Sequence, residues 1–457
     1  MDLQDYLSQL KEKRVTVIGI GVSNTPLIRL LRENDIDVTA CDRTPREEMA
    51  DRAEELEALG AKLVLGQDYL DNLQADVVFR TPGMRPDHPA LVKAAEQGSV
   101  ITSEMEVFFE VCPAPIIAVT GSDGKTTTTT LIAEMLRSCG YQVWLGGNIG
   151  KPLLSEVPKM DPDDFAVVEL SSFQLMSMRR SPAIAVVTNL SPNHLDVHKS
   201  MDEYVEAKEN IYRWQGPEDL LVINRDNEIT RSFAAKAQGR VRQFSRQETA
   251  DVWLRDGVIM SDLGGRVRPV LPTQKILIPG IHNVENYMAA IAAVEDFVDD
   301  GVIRTFATSF KGVEHRIELV REKDGVKYYN DSIGTSPTRT IAGLNSFGQK
   351  VILIAGGYDK HIPFTPLGPV ICEKVKTLVL TGDTAEKIRD AVTAAADYQP
   401  GAPEIRMIDD FAEAVKTASE LAQPGDVVLL SPACAAFDRF KNFAVRGQFF
   451  KKLVNEL

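Results

Sequence analysis

Short apolar strands alternate with helical segments through most of this chain, and the alternation predicts an α/β protein with mostly parallel sheets. Residues 165–169 and 184–189 carry this prediction best, because continuous apolar runs of this length are typical of strands buried on both faces. A chain of 457 residues is too long for one core, and about 150 residues per domain suggests three domains. We predict that they cover residues 1–106, 107–312 and 313–457.

The N-terminal domain is predicted to be Rossmann-like, because it opens with a strand–helix–strand unit. The first strand ends at Gly19 and Gly21, and the second ends at Asp42. This spacing is similar to a dinucleotide-binding fingerprint, but Asn24 stands at the third glycine position. Three interpretations stay open: a nicotinamide cofactor, a nucleotide diphosphate without nicotinamide chemistry, and a turn that binds no ligand.

The central domain begins with the most informative segment of the chain, in which a buried strand runs through a glycine turn into a helix. Gly121 and Gly124 allow backbone N–H groups to approach an anion, Lys125 supplies a positive charge, and the Thr126 hydroxyl can ligate Mg²⁺. The common P-loop template has glycine where Val119 stands, so this loop is a shortened variant. The segment predicts a P-loop-type ATPase domain that binds ATP or GTP.

Acidic and imidazole side chains follow the next strands of this domain. Glu169 ends a strand and is expected to face the phosphate loop as a ligand for a hard cation. His194 lies in the loop after the following strand, and with His198 it is also compatible with zinc. No H-E-x-x-H pattern or third soft ligand lies nearby, so Mg²⁺ with oxygen ligands is favoured. For Asp196 and His198 the alternative is a polar loop that caps the next helix.

The C-terminal domain repeats the α/β pattern, with a strand at 326–330 and a helix at 337–344, and is predicted to be Rossmann-like too. Asp331 and Lys360 each follow a strand, where loops often carry function. Turn formation is the competing interpretation for both residues. Lys208, in a helical segment of the central domain, is typical of a solvated surface lysine when judged from its neighbours alone.

Composition narrows the class of protein. The chain is 44% hydrophobic and 25% charged, carries a net charge of −14 and has five cysteines without a C-x-x-C pair. We expect free buried thiols, no membrane span, no secretion signal and a cytoplasmic location. The acidic balance argues against nucleic acid as a partner, although a locally basic pocket for small phosphorylated ligands is still compatible with it.

Ten short motifs follow one another along the chain. They are T-G-S-D-G-K-T-T (120–127), G-G-N-I-G (146–150), E-L-S-S-F-Q-L (169–175), N-x-x-x-N-H-L-D (189–196), A-K-E-N-I-Y (207–212), G-x-H-N-x-x-N (280–286), E-H-R-I-E (314–318), N-D-S (330–332), G-G-Y-D-K (356–360) and L-S-P-A-C-A-A-F-D-x-F (430–440). In this order they resemble the motifs of the Mur ligases of peptidoglycan synthesis, and among them of those that add D-glutamate. Some of these motifs are shared with folylpolyglutamate synthetase.

The resemblance implies a monomer that acts on ATP, UDP-N-acetylmuramoyl-L-alanine and D-glutamate with two Mg²⁺ ions. Lys125, His194 and Lys208 would be catalytic, the last as a carbamate formed from CO₂. ATP would be bound by Gly121, Ser122, Asp123, Gly124, Lys125, Thr126, Thr127, Asn283, Asn286, Arg316 and Asp331, with Asn283 and Asn286 on the adenine side, Arg316 at the γ-phosphate and Asp331 at the ribose. The metal ions would be bound by Thr126, Glu169, His194 and Lys208. The UDP substrate would contact Val22, Ser23, Asp42, Arg43, Thr81 and Asn148, and D-glutamate would contact Thr335, Lys360, Ser431 and Phe437.

The chain departs from the family pattern at two positions. Ile333 stands where many members have lysine, and Val197 stands where some have arginine. Both departures remove a positive charge that would meet a carboxylate of the amino acid. Two rival classes also stay open at this point: a dehydrogenase, which rests on Gly19, Gly21 and Asp42, and a regulatory P-loop NTPase, which rests on the phosphate loop alone.

Overall fold

The computed structural model describes residues 1–192 and 197–457. Over these residues the strands form three sheets, and the chain divides into two compact units. One unit contains Met1–Leu271 and Glu285–Ile303, and the other contains Pro272–Val284 and Arg304–Leu457. The predicted α/β class with mostly parallel strands is confirmed. The boundaries at 106/107 and 312/313 stay predictions.

The N-terminal sheet has five parallel strands in the order β3-β2-β1-β4-β5, counted over the described residues. The order reverses between β1 and β4, so the loops after these two strands meet at the point where such sheets bind ligands. The strands are β1 (Val15–Ile18), β2 (Val38–Asp42), β3 (Lys62–Leu65), β4 (Val77–Phe79) and β5 (Val100–Thr102), and the helices are α1 (Leu3–Leu10), α2 (Asn24–Glu33), α3 (Arg46–Met49), α4 (Asp51–Ala58), α5 (Pro89–Glu96) and α6 (Glu104–Val111).

The central sheet has the order β14-β13-β12-β11-β10-β9-β6-β8-β7 in the part of the chain described. β6 lies between β8 and β9, parallel to both, and β12 and β13 form an antiparallel hairpin. The strands are β6 (Ile116–Thr120), β7 (Val143–Gly147), β8 (Phe165–Glu169), β9 (Ile184–Val187), β10 (Leu220–Asn224), β11 (Arg240–Ser245), β12 (Val252–Arg255), β13 (Val258–Ser261) and β14 (Arg268–Pro272). The helices that follow in the chain are α7 (Lys125–Ser138), α8 (Ser172–Leu175), α9 (Met201–Glu209), α10 (Glu228–Ser232), α11 (Ile281–Val294) and α12 (Asp300–Ala307).

The C-terminal sheet has the order β15-β16-β20-β17-β18-β19, with only its β15–β16 pair antiparallel among the described strands. β20 enters between β16 and β17, which brings the loops after these three strands to one edge. The strands are β15 (Glu318–Lys323), β16 (Val326–Asn330), β17 (Val351–Ala355), β18 (Val375–Leu380), β19 (Glu404–Met407) and β20 (Val427–Leu430). The helices are α13 (Pro337–Leu344), α14 (Leu367–Lys374), α15 (Ala385–Thr393), α16 (Phe411–Glu420) and α17 (Phe443–Glu456).

Apolar side chains on both faces of the sheets build the cores. The strands β6, β8 and β9 are buried along their whole length, as their continuous apolar runs predicted. β8, β16 and α13 have the bounds that the sequence predicted for them. None of the helices formed by the described residues has both the length and the apolar character needed to cross a membrane.

Candidate active site

The phosphate loop is a four-residue turn between β6 and α7 that depends on glycine at both ends. Gly121 has φ +147° and Gly124 has φ +80°, which are backbone conformations that favour glycine. A Cβ on Gly121 would overlap the Thr188 hydroxyl, and one on Gly124 would overlap the carboxamide oxygen of Asn286. Val119, where the longer template has glycine, is buried in β6 and pairs with Glu169 of β8. The position of the template glycine therefore falls inside a buried strand, and the loop begins only at Gly121.

Lys125 lies in the first turn of α7 and folds back over the loop. Its Nζ donates to the carbonyl oxygens of Gly121 at 2.9 Å and Ser122 at 2.8 Å. The loop is also held by the segment that follows the neighbouring strand β9, because the Asp123 N–H donates to the side-chain oxygen of Asn189 at 3.0 Å. An ammonium group at a helix N-terminus beside a glycine turn is an arrangement that suits a phosphate. Thr127 is half-buried in the same turn.

Glu169, buried at the end of β8, is the acidic centre of this site. Its Oε2 accepts a hydrogen bond from the Thr126 hydroxyl at 2.7 Å, and its Oε1 accepts one from the Asn148 side-chain amide at 2.7 Å. The backbone of Asn148 also donates to the carbonyl oxygen of Glu169 at 2.8 Å. Hydroxyl, carboxylate and carboxamide oxygens are the ligands of a hard cation, so the residues fit Mg²⁺.

Lys208 on α9 is 1% exposed, so its interpretation as a solvated surface lysine is wrong. Tyr204, Ala207 and Lys208 share the buried face of the helix, and the Lys208 Nζ lies 5.0 Å from the centre of the Tyr204 ring. The Nζ donates to the Thr120 hydroxyl at 3.0 Å. Burial, together with the charge of Lys125, holds the pKa of Lys208 well below its ordinary value, and Glu169 acts in the opposite direction.

Two residues near the loop were missed by the sequence analysis. The Tyr204 hydroxyl lies 3.0 Å from the Ser122 hydroxyl, which itself donates to the Ser191 carbonyl oxygen at 2.9 Å. Thr120 links Lys208 to β8, because its hydroxyl donates to the Leu170 carbonyl at 2.7 Å. The i, i+4 spacing of Tyr204 and Lys208 could have indicated a shared helix face.

The histidine prediction divides into two parts. His194 and Asp196 lie outside the described residues. His198 is buried, with its Nε2 2.9 Å from the Ser172 hydroxyl, its ring stacked on Phe173 at 5.4 Å and its Nδ1 3.5 Å from the Glu203 carboxylate. These contacts support a packing role for His198. Over the described residues no cluster of three or more His, Cys, Asp or Glu side chains could hold a metal ion.

Asn283 and Asn286, predicted for the adenine side, both lie on α11 and are buried. The Asn286 side-chain oxygen accepts a hydrogen bond from the Thr128 hydroxyl at 3.3 Å, which ties it to α7. The Asn283 side-chain amide donates to the Pro279 carbonyl at 2.6 Å. Asn286 therefore belongs to the surroundings of the phosphate loop, and Asn283 caps the loop that precedes its own helix.

The residues predicted for the UDP substrate lie at the ends of β1, β2 and β4. Both carboxylate oxygens of Asp42 accept backbone hydrogen bonds, Oδ2 from the Ile20 N–H in the loop after β1 at 2.6 Å and Oδ1 from the Thr44 N–H at 2.8 Å. Gly19 has φ +87°, and a Cβ there would lie 2.8 Å from the Cβ of Thr81, so this glycine lets the loops after β1 and β4 approach. Around this junction Val22 and Arg43 are exposed and Ser23 and Thr81 are half-buried.

Three of the residues predicted for D-glutamate lie on loops at the carboxyl ends of β16, β17 and β20. The Lys360 Nζ donates to the Thr335 carbonyl at 3.0 Å. The Phe437 side chain is 63% exposed, and its ring packs edge-on against that of Tyr358 at 5.9 Å. This edge therefore presents an ammonium group, a hydroxyl and an exposed aromatic ring within one unit.

Ser431 and Asp331, predicted for different substrates, contact each other directly. The Ser431 hydroxyl donates to the Asp331 Oδ2 at 2.7 Å and lies 2.9 Å from the Thr340 hydroxyl. Both side chains are buried, and burial raises the pKa of Asp331 to about 7 against the opposing effect of this hydrogen bond. The assignments to D-glutamate and to ribose stay predictions.

Arg316 lies in a turn with unusual backbone geometry on both sides. His315 has φ +62° and Ile317 has φ +44°, and a β-branched residue at positive φ is a genuine outlier. His315 is buried, with its Nδ1 2.9 Å from the Asn330 side-chain nitrogen. Strained backbone of this kind clusters at functional sites, which agrees with the γ-phosphate role predicted for Arg316.

The fold and the phosphate loop define a nucleotide-dependent α/β enzyme, and comparison with known families narrows the class. Residues 119–294 match the model of the Mur ligase middle domain, and residues 315–434 match the Mur ligase glutamate ligase domain. This chain belongs to the Mur ligase family and is a ligase. The resemblance drawn from its motifs is confirmed.

Curated relatives cover the whole length of the chain. A UDP-N-acetylmuramoylalanine–D-glutamate ligase from Acetivibrio thermocellus is 55% identical over 100% of this chain and 99% of its own. The protein of that name from Clostridium novyi is 53% identical over 99% of each chain. Among solved structures, the UDP-N-acetylmuramate–alanine ligase from Thermotoga maritima superposes with a TM-score of 0.59 at 20% identity, over 97% of this chain and 100% of its own, which supports the fold.

Proposed function

We propose that this chain joins the amine of D-glutamate to the alanyl carboxylate of UDP-N-acetylmuramoyl-L-alanine, while ATP is cleaved to ADP and phosphate. The observation that carries the chemistry is the buried Glu169, which is hydrogen-bonded to Thr126 of the phosphate loop and to Asn148. The choice of substrates is supported by the full-length relatives that bear the name of this reaction at 55% and 53% identity.

The first step overcomes the poor electrophilicity of a carboxylate. An oxygen of the alanyl carboxylate attacks the γ-phosphorus of ATP, the bond from that phosphorus to the bridging oxygen breaks, and an acyl phosphate and ADP form. Lys125, released from the carbonyl oxygens of its own loop, would hold the transferred oxygens by charge and hydrogen bonds. Arg316 would meet the same phosphoryl group, and Asp331 would meet the ribose.

The metal ligands follow from the oxygen donors around Glu169. Thr126 and Glu169 would hold one Mg²⁺, and His194 with a modified Lys208 would hold a second. When bound, Mg²⁺ neutralises the charge of the phosphate oxygens. Asn148, already hydrogen-bonded to Glu169, would orient that carboxylate or contact the UDP substrate.

In the second step the D-glutamate amine attacks the acyl carbon, the amide bond forms and phosphate leaves with the bonding electrons. The amine must lose a proton, for which His194 and the departing phosphate are the two candidate bases. Lys360, Thr335, Ser431 and Phe437 would position the amino acid. Val22, Ser23, Asp42, Arg43 and Thr81 would hold the UDP end of the other substrate.

Lys208 would act as a carbamate. The amine attacks the carbon of CO₂, an N–C bond forms, and one N–H proton leaves to water, which converts a cation into a carboxylate-like group. Only a neutral amine can do this, and the lowered pKa of Lys208, caused by its burial, supports the neutral form. A carbamate so close to Thr120 and Glu169 would supply oxygen ligands that an ammonium group cannot offer.

The rival functions have less support. A dehydrogenase, which rests on Gly19, Gly21 and Asp42, would not account for the matches to the Mur ligase middle and glutamate ligase domains. A regulatory NTPase would not account for full-length similarity to ligases. The cytoplasmic location, the monomeric state and small-molecule substrates as the sole partners stay predictions.

The proposal is tested by ADP release from ATP with UDP-N-acetylmuramoyl-L-alanine and a panel of amino acids. We expect release with D-glutamate and none above background with L-glutamate, L-alanine, meso-diaminopimelate or D-alanyl-D-alanine. Omission of the UDP substrate is the control, because a regulatory NTPase would hydrolyse ATP without it. Preferred use of another amino acid in the panel would overturn the D-glutamate assignment.

A further inference from the structure

Arg446, in the first turn of α17, carries a guanidinium group that is buried inside the C-terminal unit. It is 2% exposed. The turn is fixed by Asn442, whose side chain accepts a hydrogen bond from the Val445 N–H at 3.0 Å. A buried charge is costly unless its hydrogen bonds are satisfied, so the acceptors around Arg446 indicate what the residue is for.

The acceptors belong to two loops that are far apart in sequence. In the loop after β16, Nε donates to the Ser332 hydroxyl at 3.0 Å and Nη2 donates to the Ser332 carbonyl at 3.0 Å. In the loop after β20, Nη2 donates to the Cys434 carbonyl at 3.0 Å and Nη1 donates to the Ala435 carbonyl at 3.1 Å. Each of these acceptors is an uncharged oxygen, so the guanidinium holds the two loops through hydrogen bonds of fixed direction.

A third loop closes on the same group. A Cβ on Gly357, after β17, would lie 3.1 Å from Nη1 of Arg446 and 2.5 Å from the Ala435 carbonyl oxygen. That carbonyl oxygen also accepts a hydrogen bond from the Tyr358 N–H at 3.0 Å. The loops after β16, β17 and β20 therefore meet at Arg446, and these loops carry Thr335, Lys360 and Phe437.

The contacts also fix the orientation of peptide groups. In a trans peptide the C=O and N–H point in opposite directions. The Cys434 and Ala435 carbonyls point to the guanidinium, so the N–H groups of Ala435 and Ala436 point away from it. Ala433 has φ +59°, a backbone conformation that a non-glycine residue holds only when its surroundings impose it.

We propose that Arg446 is a positioning residue for the amino-acid substrate: its buried guanidinium holds the loops after β16 and β20 in the arrangement that binds D-glutamate. The inference rests on the proposed function for the identity of that amino acid. Lysine cannot replace arginine here, because one ammonium group cannot reproduce a planar fork that reaches two loops. The residue acts through Thr335, Lys360 and the backbone beside Phe437.

The test compares Arg446→Lys and Arg446→Met with the wild type. We expect the KM for D-glutamate to rise about 10- to 100-fold in both variants, as for the loss of a charged hydrogen bond, with the KM for ATP changed less than about twofold. The matched control is Phe450→Leu, one turn further along α17 in a buried apolar cluster. It should lower the melting temperature and leave the KM for D-glutamate unchanged.

The outcomes separate the inference from the proposed function. If the wild type prefers another amino acid, the D-glutamate assignment fails, and the same comparison is made with the KM for that amino acid. Equal changes in the KM for ATP and the amino acid, or a raised amino-acid KM in Phe450→Leu, would overturn the positioning role. If neither Arg446 variant folds, Ser332→Ala keeps the guanidinium and removes one acceptor, and an unchanged D-glutamate KM in that variant would also overturn it.

Discussion

The Nζ of Lys208 donates a hydrogen bond of 3.0 Å to the Thr120 hydroxyl inside the protein, and this hydroxyl in turn donates to the Leu170 carbonyl oxygen. The lysine thus meets one neutral oxygen where a surface lysine would meet water. Lys125 disfavours its charged form further, and only Glu169 opposes this. A lowered pKa raises the share of this amine that is uncharged and therefore nucleophilic, and the first prediction below depends on the surroundings that lower it.

Lys208→Ala should abolish turnover, and a short carboxylic acid such as acetate or propionate should partly restore it by occupying the place of the carbamate. The physical reason is that the pocket then holds oxygen ligands again. ADP release with and without the acid is the measurement. Lys236→Ala, which removes an exposed lysine that pairs with Glu209, is the control and should show neither effect. No rescue, together with an unmodified Lys208 mass in active enzyme, would exclude the carbamate.

Lys125→Ala should lower kcat by about 10²–10³-fold or more, because the ammonium group acts on charge that develops during phosphoryl transfer. The fold should persist, since the hydrogen bonds from Nζ to the Gly121 and Ser122 carbonyls lie within one loop. Circular dichroism and ADP release measure the two effects. Lys159→Ala, at an exposed ion pair, should behave as wild type. Near-normal ADP formation in folded Lys125→Ala would remove the phosphate role.

Lys360→Ala should raise the KM for D-glutamate by about 10- to 100-fold, the loss expected for one charged hydrogen bond to a carboxylate, with little change in the KM for ATP. Ile333 cannot share the work, because it has no charge. Lys376→Ala is the control: this lysine pairs with Asp426 at 2.6 Å, near the amino end of β18. An unchanged KM for D-glutamate in Lys360→Ala would take the residue out of the site.

Gly121→Ala should abolish ATP binding, because the added Cβ would meet the Thr188 hydroxyl in a turn with φ +147°. Gly140→Ala is the control, because it introduces a Cβ at positive φ without a steric clash: Gly140 has φ +90° but faces open space. We expect the control to lose about 1 kcal/mol of stability and to keep ATP affinity. Calorimetric titration with ATP measures the difference, and equal affinity in the two variants would contradict the steric argument.

Glu104 gives the protein a pH-dependent stability. Burial raises its pKa to about 7, against hydrogen bonds from the Leu154 and Leu153 N–H groups. Between about pH 4.5 and 7 the unfolded chain loses this proton while the folded chain keeps it, so stability falls as pH rises, and above pH 7 the loss is constant at about 3 kcal/mol.

Glu104→Gln removes the titrating group and keeps an acceptor for Leu154. Urea unfolding at pH 4.5, 6 and 8 should therefore show the variant gaining stability over wild type as pH rises. Asp76→Asn is the control: hydrogen bonds from Arg14 lower the pKa of Asp76 to about 2, so this carboxylate stays ionised in the folded and the unfolded chain from pH 4.5 to 8, and the variant should differ from wild type by a constant amount. A constant difference between Glu104→Gln and wild type across this range would show that Glu104 does not titrate there.

Much of the fold could be predicted from the sequence because its signals are local. The apolar run of β8 and the Pro337 start of α13 fixed their elements without help from the rest of the chain. The order of strands that pair over long sequence distances could not be predicted. β20 lies between β16 and β17 although it begins 97 residues after β16 ends and 72 residues after β17 ends, and no local pattern specifies that order.

The same distinction between local and long-range signals applies to the residues of the site. The link between Thr126 and Glu169 was predicted, because both follow strands of one parallel sheet. Lys208 was not predicted from its neighbours, since its burial depends on what α9 packs against. Arg446 gave no signal at all: a single arginine near the start of the last helix is typical of a surface until three distant loops close around it.

The turn around Arg316 limits how freely this segment can be redesigned. Two non-glycine residues with positive φ hold backbone strain there, and Ile317→Gly would release part of that strain but would also remove a side chain that packs against the core of the C-terminal unit. The same change would let the arginine between them sample other directions. Under the γ-phosphate role proposed for Arg316, the strain in this turn is a cost that maintains the direction of one side chain.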